Sequence, residues 1–423
     1  MCKACPLSLP VTKLAPPSPG FAGYSPDCAA TARGREAPYA GFVCEQHLGL
    51  TIRGRTILGK AMSYTSPGVV RHRPLRVGAC LSLTGRYRLF GSQAAHGLEV
   101  WRRLDGQAQL IVEDDGSDPV RLSDCLAGMA PRSDLLLGPY STELMRAAAR
   151  LAPRLDRLLW NHGGAGDDVQ GACPGRIVSV LTPTSRYAVP FVQHVAQKAP
   201  RAPLWIVQGK GSFGRQVAAG AAAAGRRLGL ETVLVAPEAL LSDVTVRAVW
   251  DLFSVGAFEE DAAVASRALT LSRPPRALCA VAAGVQAFAH AVTDREGIYG
   301  IAQWVPGGGG APELGPAEGA FMDSYLRLTG TTPDYPAVQA AACAAIAAHC
   351  ARVTGVSDVE ALWRAAASLD TTTLFGAFRI DPSTGVQVGH EATLVRWSGA
   401  ALTTVDSKPS PGPRAPPEGG GGA

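Results

Sequence analysis

This sequence lacks the patterns that usually announce chemistry. Its 423 residues hold no G-x-S-x-G elbow, no H-E-x-x-H pair and no Walker-type G-x-x-x-x-G-K-[ST] loop. Those absences exclude the common serine-hydrolase, zinc-peptidase and nucleotide-hydrolase sites. Charge is sparse, at 18%, against 47% hydrophobic residues, so a disordered, solvating chain is excluded and a large core is affordable. No continuous apolar run is long enough to cross a membrane. The opening segment MCKACPLSLPVTKLAPPSPG has no apolar signal core, which read alone points to the cell interior unless the true start lies elsewhere. The ten cysteines are dilute and sit mostly in apolar runs such as VGACL and RALCAVAA, so they read as buried free thiols. In the leader, Cys2, Cys5, Cys28, Cys44 and His47 are too irregularly spaced to be preferred as a zinc site over a disordered basic segment.

The net charge of +5 does not mark a nucleic-acid binder. Residues 1–73 carry nine Lys/Arg against three acids, so the leader alone exceeds the whole chain's surplus and the rest is close to neutral. That leader is rich in Pro, Gly, Arg and Ser and is expected to be disordered, as is a tail over 404–423. Between them, short apolar strands alternate with helices: strands near Val77–Leu81, Leu110–Glu113, Leu135–Leu137, Leu158–Trp160, Leu204–Val207, Thr232–Val235, Ala248–Ser254, Leu278–Val281 and Tyr299–Trp304. The alternation predicts an α/β fold of doubly wound parallel sheets, and the strand number predicts two Rossmann-like lobes. A final β-hairpin is expected, with arms Ala377–Ile380 and Ala392–Trp397.

Three loops at strand ends look able to meet a ligand. In LLLGPYSTELMRAAARLAP, Ser141 or Thr142 caps a helix, and that helix end can also hold an anion. In LLWNHGGAGDDV, Asn161, His162 and Gly163 follow a strand, and His162 can donate to a carboxylate. The run Gly209-Lys-Gly211-Ser-Phe-Gly214 matches G-x-G-x-x-G after a strand, which raises a dinucleotide reading. It lies mid-chain, and the only acid about twenty residues on, Glu231, precedes the next strand, so that reading is the weaker one.

The block RVGACLSLTGRYRLFGSQAAHGLEVW, with the GPYST, EDDGSDP, GKGSFG and VGAFEEDAAVASRA segments and the late Gly376, Phe378, Asp381, Gly385 and Trp397, resembles the type I periplasmic binding proteins. The similarity is to their leucine/isoleucine/valine- and amide-binding branch. It implies two lobes joined by a three-segment hinge. Lobe one would be 74–184 plus 307–372 and lobe two 185–306 plus 373–403. It implies a non-enzymatic solute-binding protein, without cofactor or metal, that captures an amino-acid-like, amide or urea-like molecule for an ABC permease. The alternative is an intracellular sensor of the same fold acting on a regulatory partner. The resemblance implies a periplasmic or extracellular site of action, while the missing signal leaves a cytoplasmic one open. It places Phe90, Ser141, Thr142, Asn161, His162, Gly163, Phe213, Phe258, Ala283 and Tyr335 at the ligand. At Ala283 the amino-acid binders carry an acid for the ligand ammonium. Its absence leaves Glu259, Glu260 or Asp261 to supply the charge, or a ligand without a free α-amine.

Overall fold

The structure, a computed structural model, describes residues 73–238, 249–308, 310–355 and 357–405. The expectations for the leader up to residue 72, and for the tail beyond 405, lie outside the described residues. The described residues form one compact unit, in which the strands make two main sheets.

The first sheet has the order β2-β1-β3-β4-β5, built from β1 Leu75–Leu81, β2 Ala108–Asp114, β3 Leu135–Leu137, β4 Leu159–Asn161 and β5 Ile177–Ser179. All its pairings are parallel. The chain then builds β6 Leu204–Gln208, β7 Thr232–Val235, β8 Asp251–Val255, β9 Ala277–Ala280 and β10 Tyr299–Ala302. It continues through a short antiparallel ribbon of β11 Thr371–Thr373 and β12 Gly376–Phe378 to β13 Thr393–Ser398 and β14 Ala401–Thr404. The second sheet has the order β14-β13-β10-β9-β8-β6-β7, parallel except at β13 and β14. Buried apolar strands with helices between them explain both sheets: a parallel strand needs a crossover helix and has both faces covered.

Three helices that follow β10, Glu318–Thr329, Tyr335–Thr354 and Val359–Ala367, return to the first lobe, where the first two pack on helix Arg88–Asp105. The chain therefore crosses between lobes three times. The crossings are stitched together by side chains. Thr182 N donates to Gln303 Oε1 at 3.1 Å, and Thr182 Oγ1 bonds His390 Nδ1 at 2.7 Å. Close helix packing explains the Ala-rich segment after Tyr335. A Cβ at Gly97 would lie 2.1 Å from the Ala337 carbonyl oxygen, so the two backbones touch where only glycine fits. By length and composition this one helix could span a membrane, contrary to the reading of the sequence. It is mostly buried inside the protein, as a core helix is.

The structure departs from the sequence reading in several places. The late hairpin does not form as expected. Its turn is present, with Asp381 accepting from Ser383 N and Thr384 N, but the arms separate after the Ile380–Gln387 bridge. β12 pairs back to β11, and β13 pairs with β10 and β14. Residues 404 and 405, expected in the tail, are part of the fold: Thr404 belongs to β14 and Val405 N donates to Leu394 O. β5 and the six-residue helix Asp167–Ala172 are additional elements. The stretch between β5 and β6 holds two helices, Thr184–Tyr187 and Val189–Ala196, with Pro190 in the first turn of the second.

Candidate functional site

The C-terminal ends of the parallel strands from both sheets face a shared junction, where ligand crevices form in open α/β sheets. Six aromatic side chains gather there. Phe90 stacks on Tyr140, with centroids 5.1 Å apart and planes at 20°, and meets the edge of Phe258 at 6.2 Å. Tyr140 and Tyr335 bring their hydroxyls to 3.3 Å. Tyr187 packs edge-on to Phe213 at 5.5 Å and lies within electrostatic reach of Tyr335. Burial pushes the phenols of Tyr140 and Tyr187 well above their usual range and that of Tyr335 up to about 12, so all three stay neutral donors. Phe90, Tyr140 and Tyr335 come from first-lobe elements, whereas Phe213 and Phe258 open helices of the second lobe, Gly211–Arg227 and Phe258–Leu269. Phe90 sits in the first turn of the helix Arg88–Asp105.

Ser141 and Thr142 stand at the start of helix Thr142–Leu155. Ser141 is its N-cap, and its Oγ accepts from Leu144 N at 3.2 Å. Its φ of 103° is a left-handed conformation that costs a non-glycine residue about 1–3 kcal/mol and recurs at ligand clamps. The bond from Ser141 N to Gly163 O, 3.0 Å, holds it there. Thr142 Oγ1 accepts from Gly166 N at 3.1 Å and keeps its own proton to donate.

The polar residues of the next loop turn inward. Asn161 is fully buried. Its Oδ1 takes the N–H groups of Gly163 and Gly164, and its Nδ2 donates to Gly164 O and Ser179 Oγ. Every hydrogen-bonding site of the amide is used within the loop and on the neighbouring β5. His162 is fully buried too, and neither ring nitrogen meets a partner at full hydrogen-bond geometry. Burial pulls its pKa down to about 4, against a smaller opposite pull from the Gly138 and His162 backbone, so it is neutral near pH 7. Gly163 is required by contact: a Cβ there would lie 2.5 Å from Tyr140 Cα.

Ala283 is buried, and its carbonyl accepts from Trp397 Nε1 at 2.9 Å. The nearby acids are engaged as well. Asp261 is 1% exposed and accepts from Ala282 N at 2.7 Å; burial raises its pKa to about 7. Glu260 accepts from Ala257 N and from Lys210 N. That carboxylate lies against Gly209, where it would repel a pyrophosphate, which removes the support for a dinucleotide at Gly209–Gly214. Glu259 is exposed. Among the described residues, no group of three or more His, Cys, Asp or Glu is gathered to hold a metal.

Of the residues singled out from sequence, Phe90, Ser141, Thr142, Phe213, Phe258 and Tyr335 are brought to this junction. Asn161, His162, Gly163 and Ala283 lie behind it. Tyr140 and Tyr187 were missed. The position of Tyr140 between Gly138-Pro139 and the capping Ser141 was the available signal; Tyr187 carried none, since only the first lobe crossing brings it there.

Residues 74–245 match the family model described as periplasmic binding protein. A search of curated proteins finds no match. Solved structures match across nearly their whole length. A leucine-binding protein of Thermotoga maritima has 12% identity and a TM-score of 0.67, covering 78% of this chain and 98% of that one. A branched-chain amino acid substrate-binding protein of Streptococcus pneumoniae, solved with isoleucine, has 15% identity and a TM-score of 0.66, covering 79% and 99%. A solute-binding protein of an ABC transporter from R. palustris, solved with benzoate, has 17% identity and a TM-score of 0.64, covering 78% and 95%. The resemblance to the type I periplasmic binding proteins thus holds in sequence over residues 74–245 and in fold across both lobes.

Proposed function

We propose that this chain is a non-enzymatic solute-binding protein that captures a small carboxylate or amide with an apolar body, between a lobe of 74–184 plus 307–372 and a lobe of 185–306 plus 373–403, for an ABC permease. The observation that carries this reading is the pairing of one polar end with an aromatic surround. The polar end is the N-terminus of helix Thr142–Leu155, with the free hydroxyl proton of Thr142 and unpaired backbone N–H groups. The surround is Phe90, Tyr140, Tyr187, Phe213, Phe258 and Tyr335. Asn161, His162, Gly163 and Ala283 shape the walls in this reading, and Ser141 sets the helix start.

The inward-facing acids beside the junction are already hydrogen-bonded, and Glu259 is exposed to water. Asp261 bonds Ala282 N, Glu260 bonds Ala257 N and Lys210 N, and Asp334 accepts from Gln286 N at 2.9 Å. An α-amine would therefore be desolvated without a counter-charge. The benzoate complex of the R. palustris relative agrees with an aromatic carboxylate, and the leucine- and isoleucine-binding relatives supply the competing expectation. The experiment compares leucine with 4-methylpentanoate, which keeps its carboxylate and branched body and lacks its amine, alongside benzoate and benzamide, by thermal shift and calorimetry. The expected result is that 4-methylpentanoate or benzoate binds and leucine binds more weakly. Leucine binding tenfold tighter than 4-methylpentanoate would overturn the ligand class, and no binding by any of the four would overturn the capture of small carboxylates and amides.

A further inference from the structure

We propose that Arg146, Asp168, Ser212 and Gln216 form a polar clasp that holds the two lobes closed, acting as positioning residues for capture without touching the solute. The proposal rests on the two-lobe reading above. Arg146 and Asp168 belong to first-lobe helices, Thr142–Leu155 and Asp167–Ala172. Ser212 and Gln216 lie on the first two turns of the second-lobe helix Gly211–Arg227. Asp168 Oδ1 accepts from Gln216 Nε2 at 2.9 Å, and Asp168 N donates to Gln216 Oε1 at 3.3 Å. Its Oδ2 takes Ser212 Oγ at 3.2 Å and Arg146 Nη1 at 2.5 Å. The same Arg146 nitrogen reaches Ser212 Oγ at 3.2 Å, and Gln216 Nε2 also reaches Ser212 Oγ at 2.7 Å. One first-lobe carboxylate thus receives two second-lobe donors and one first-lobe cation.

The surrounding backbone is moulded to this contact. A Cβ on Gly166 would lie 3.2 Å from Gln216 Nε2 and 2.3 Å from Thr142 Cγ2. The loop that receives the clasp is therefore the one whose Gly166 N–H engages Thr142, the proposed ligand donor. Away from it, the lobes meet again through Gln286 N on Asp334 and through Phe258 on Phe90. Rotation of the second-lobe helix away from the first lobe would break the bonds from Gln216 and Ser212 together and leave Asp168 with Arg146 alone. The clasp biases the hinge toward the closed arrangement before a solute arrives. A solute that needs the closed state then binds with less loss, because its apparent affinity scales with the closed fraction.

The test uses the full chain and the variants Gln216→Ala and Arg146→Ala, read first by small-angle X-ray scattering without any solute. The expected result is a larger radius of gyration in Gln216→Ala with an unchanged far-UV circular dichroism spectrum. Calorimetry with 4-methylpentanoate as the probe should show affinity weakened about tenfold, the equivalent of about 1.4 kcal/mol, with the preference over leucine unchanged. Scattering identical to the parent chain would overturn the clasp, whatever the solute. If Arg146→Ala does not fold, Gln216→Ala alone decides, since it removes one of the two second-lobe donors and leaves the first lobe untouched. Failure of the parent chain to bind the probe would count against the ligand class and leave the scattering result standing.

Discussion

The loop leaving β4 and the turn leaving β9 occupy comparable strand ends in the two lobes, and they are built in opposite ways. In the first lobe one polar side chain does the building. Asn161 bonds two backbone N–H groups, a backbone carbonyl and the Ser179 hydroxyl, and the glycines around it give the loop its tightness. In the second lobe the backbone is plain and its support arrives from elsewhere. Trp397 donates to Ala283 O, and Asp261 accepts from Ala282 N. A polar loop residue is thus no sign of ligand contact when the loop itself needs its hydrogen bonds. An alanine in place of an expected acid is no hole either, when a distant indole fixes the turn.

The strongest way to break this comparison is Asn161→Ala. It strips partners from several buried groups at once, and each costs about 1–3 kcal/mol when left unsatisfied. The expected loss is about 3 kcal/mol or more, read as a drop in the urea midpoint with the slope unchanged. A loss under about 1 kcal/mol would show that the glycines alone hold the loop. Trp397→Phe tests the second turn. It removes one donor to a buried carbonyl and leaves most of the ring that packs near Phe288, so about 1–2 kcal/mol is expected by the same measurement. An equal loss from both variants would erase the contrast.

The contrast also marks what could be read from the sequence. The nine apolar strands were legible because a parallel strand buried on both faces is a run of apolar residues, as in Leu135–Leu137 or Ala277–Ala280. β5 was not, since Ser179 breaks its apolar run and the helix before it, Asp167–Ala172, is only six residues long. The hairpin arms were legible as strands but not in their pairing, because the partners of β12 and β13 are chosen by β11, β10 and β14. Of the six aromatic side chains at the junction, Phe90, Phe213, Phe258 and Tyr335 were singled out through family resemblance, and Tyr140 and Tyr187 were not. The commitments of Asn161 to Ser179 and of Ala283 to Trp397 were not, because those partners lie 18 and 114 residues away.

Asp261 sharpens the comparison through pH. Burial raises its folded pKa to about 7, while the unfolded carboxyl titrates near about 3.9. Between those values the unfolded chain releases the proton first, so Asp261 lowers stability as pH rises from about 4 to 7. Its neighbours are Ser254 and the backbone N–H groups of Val281 and Ala282, which favour the charge, and Glu260, which opposes it. Asp261→Asn keeps an acceptor for Ala282 N and cannot ionise. The expected outcome is a flatter melting temperature over pH 4–7 than in the parent chain. His162 has the opposite sign: its folded pKa of about 4 lies below the usual value of about 6.5, so its contribution is lost as pH falls through that window. The second lobe's turn should therefore weaken toward neutral pH and the first lobe's loop toward acid. Parallel slopes in Asp261→Asn and the parent chain would contradict the burial of that carboxyl.

A smaller effect on stability than at Asn161 is expected at a ring proposed to face the solute. Phe258 is half-buried at the junction and touches Phe90 edge to face at 6.2 Å. Such a ring pair is worth about 0.5–1.5 kcal/mol beyond the area it buries. Phe258→Ala should therefore shift the urea midpoint less than Asn161→Ala does, because no backbone group depends on the ring. Its effect should appear in calorimetry, as weaker benzoate binding with a smaller change for benzamide's aliphatic counterparts. That split follows from the division of labour between the two kinds of residue at the strand ends. Those that build the loops cannot be changed without losing fold, and those that face the junction can be changed at little cost to it. A Phe258→Ala chain that unfolds as readily as Asn161→Ala would place the ring among the builders and remove it from the proposed site.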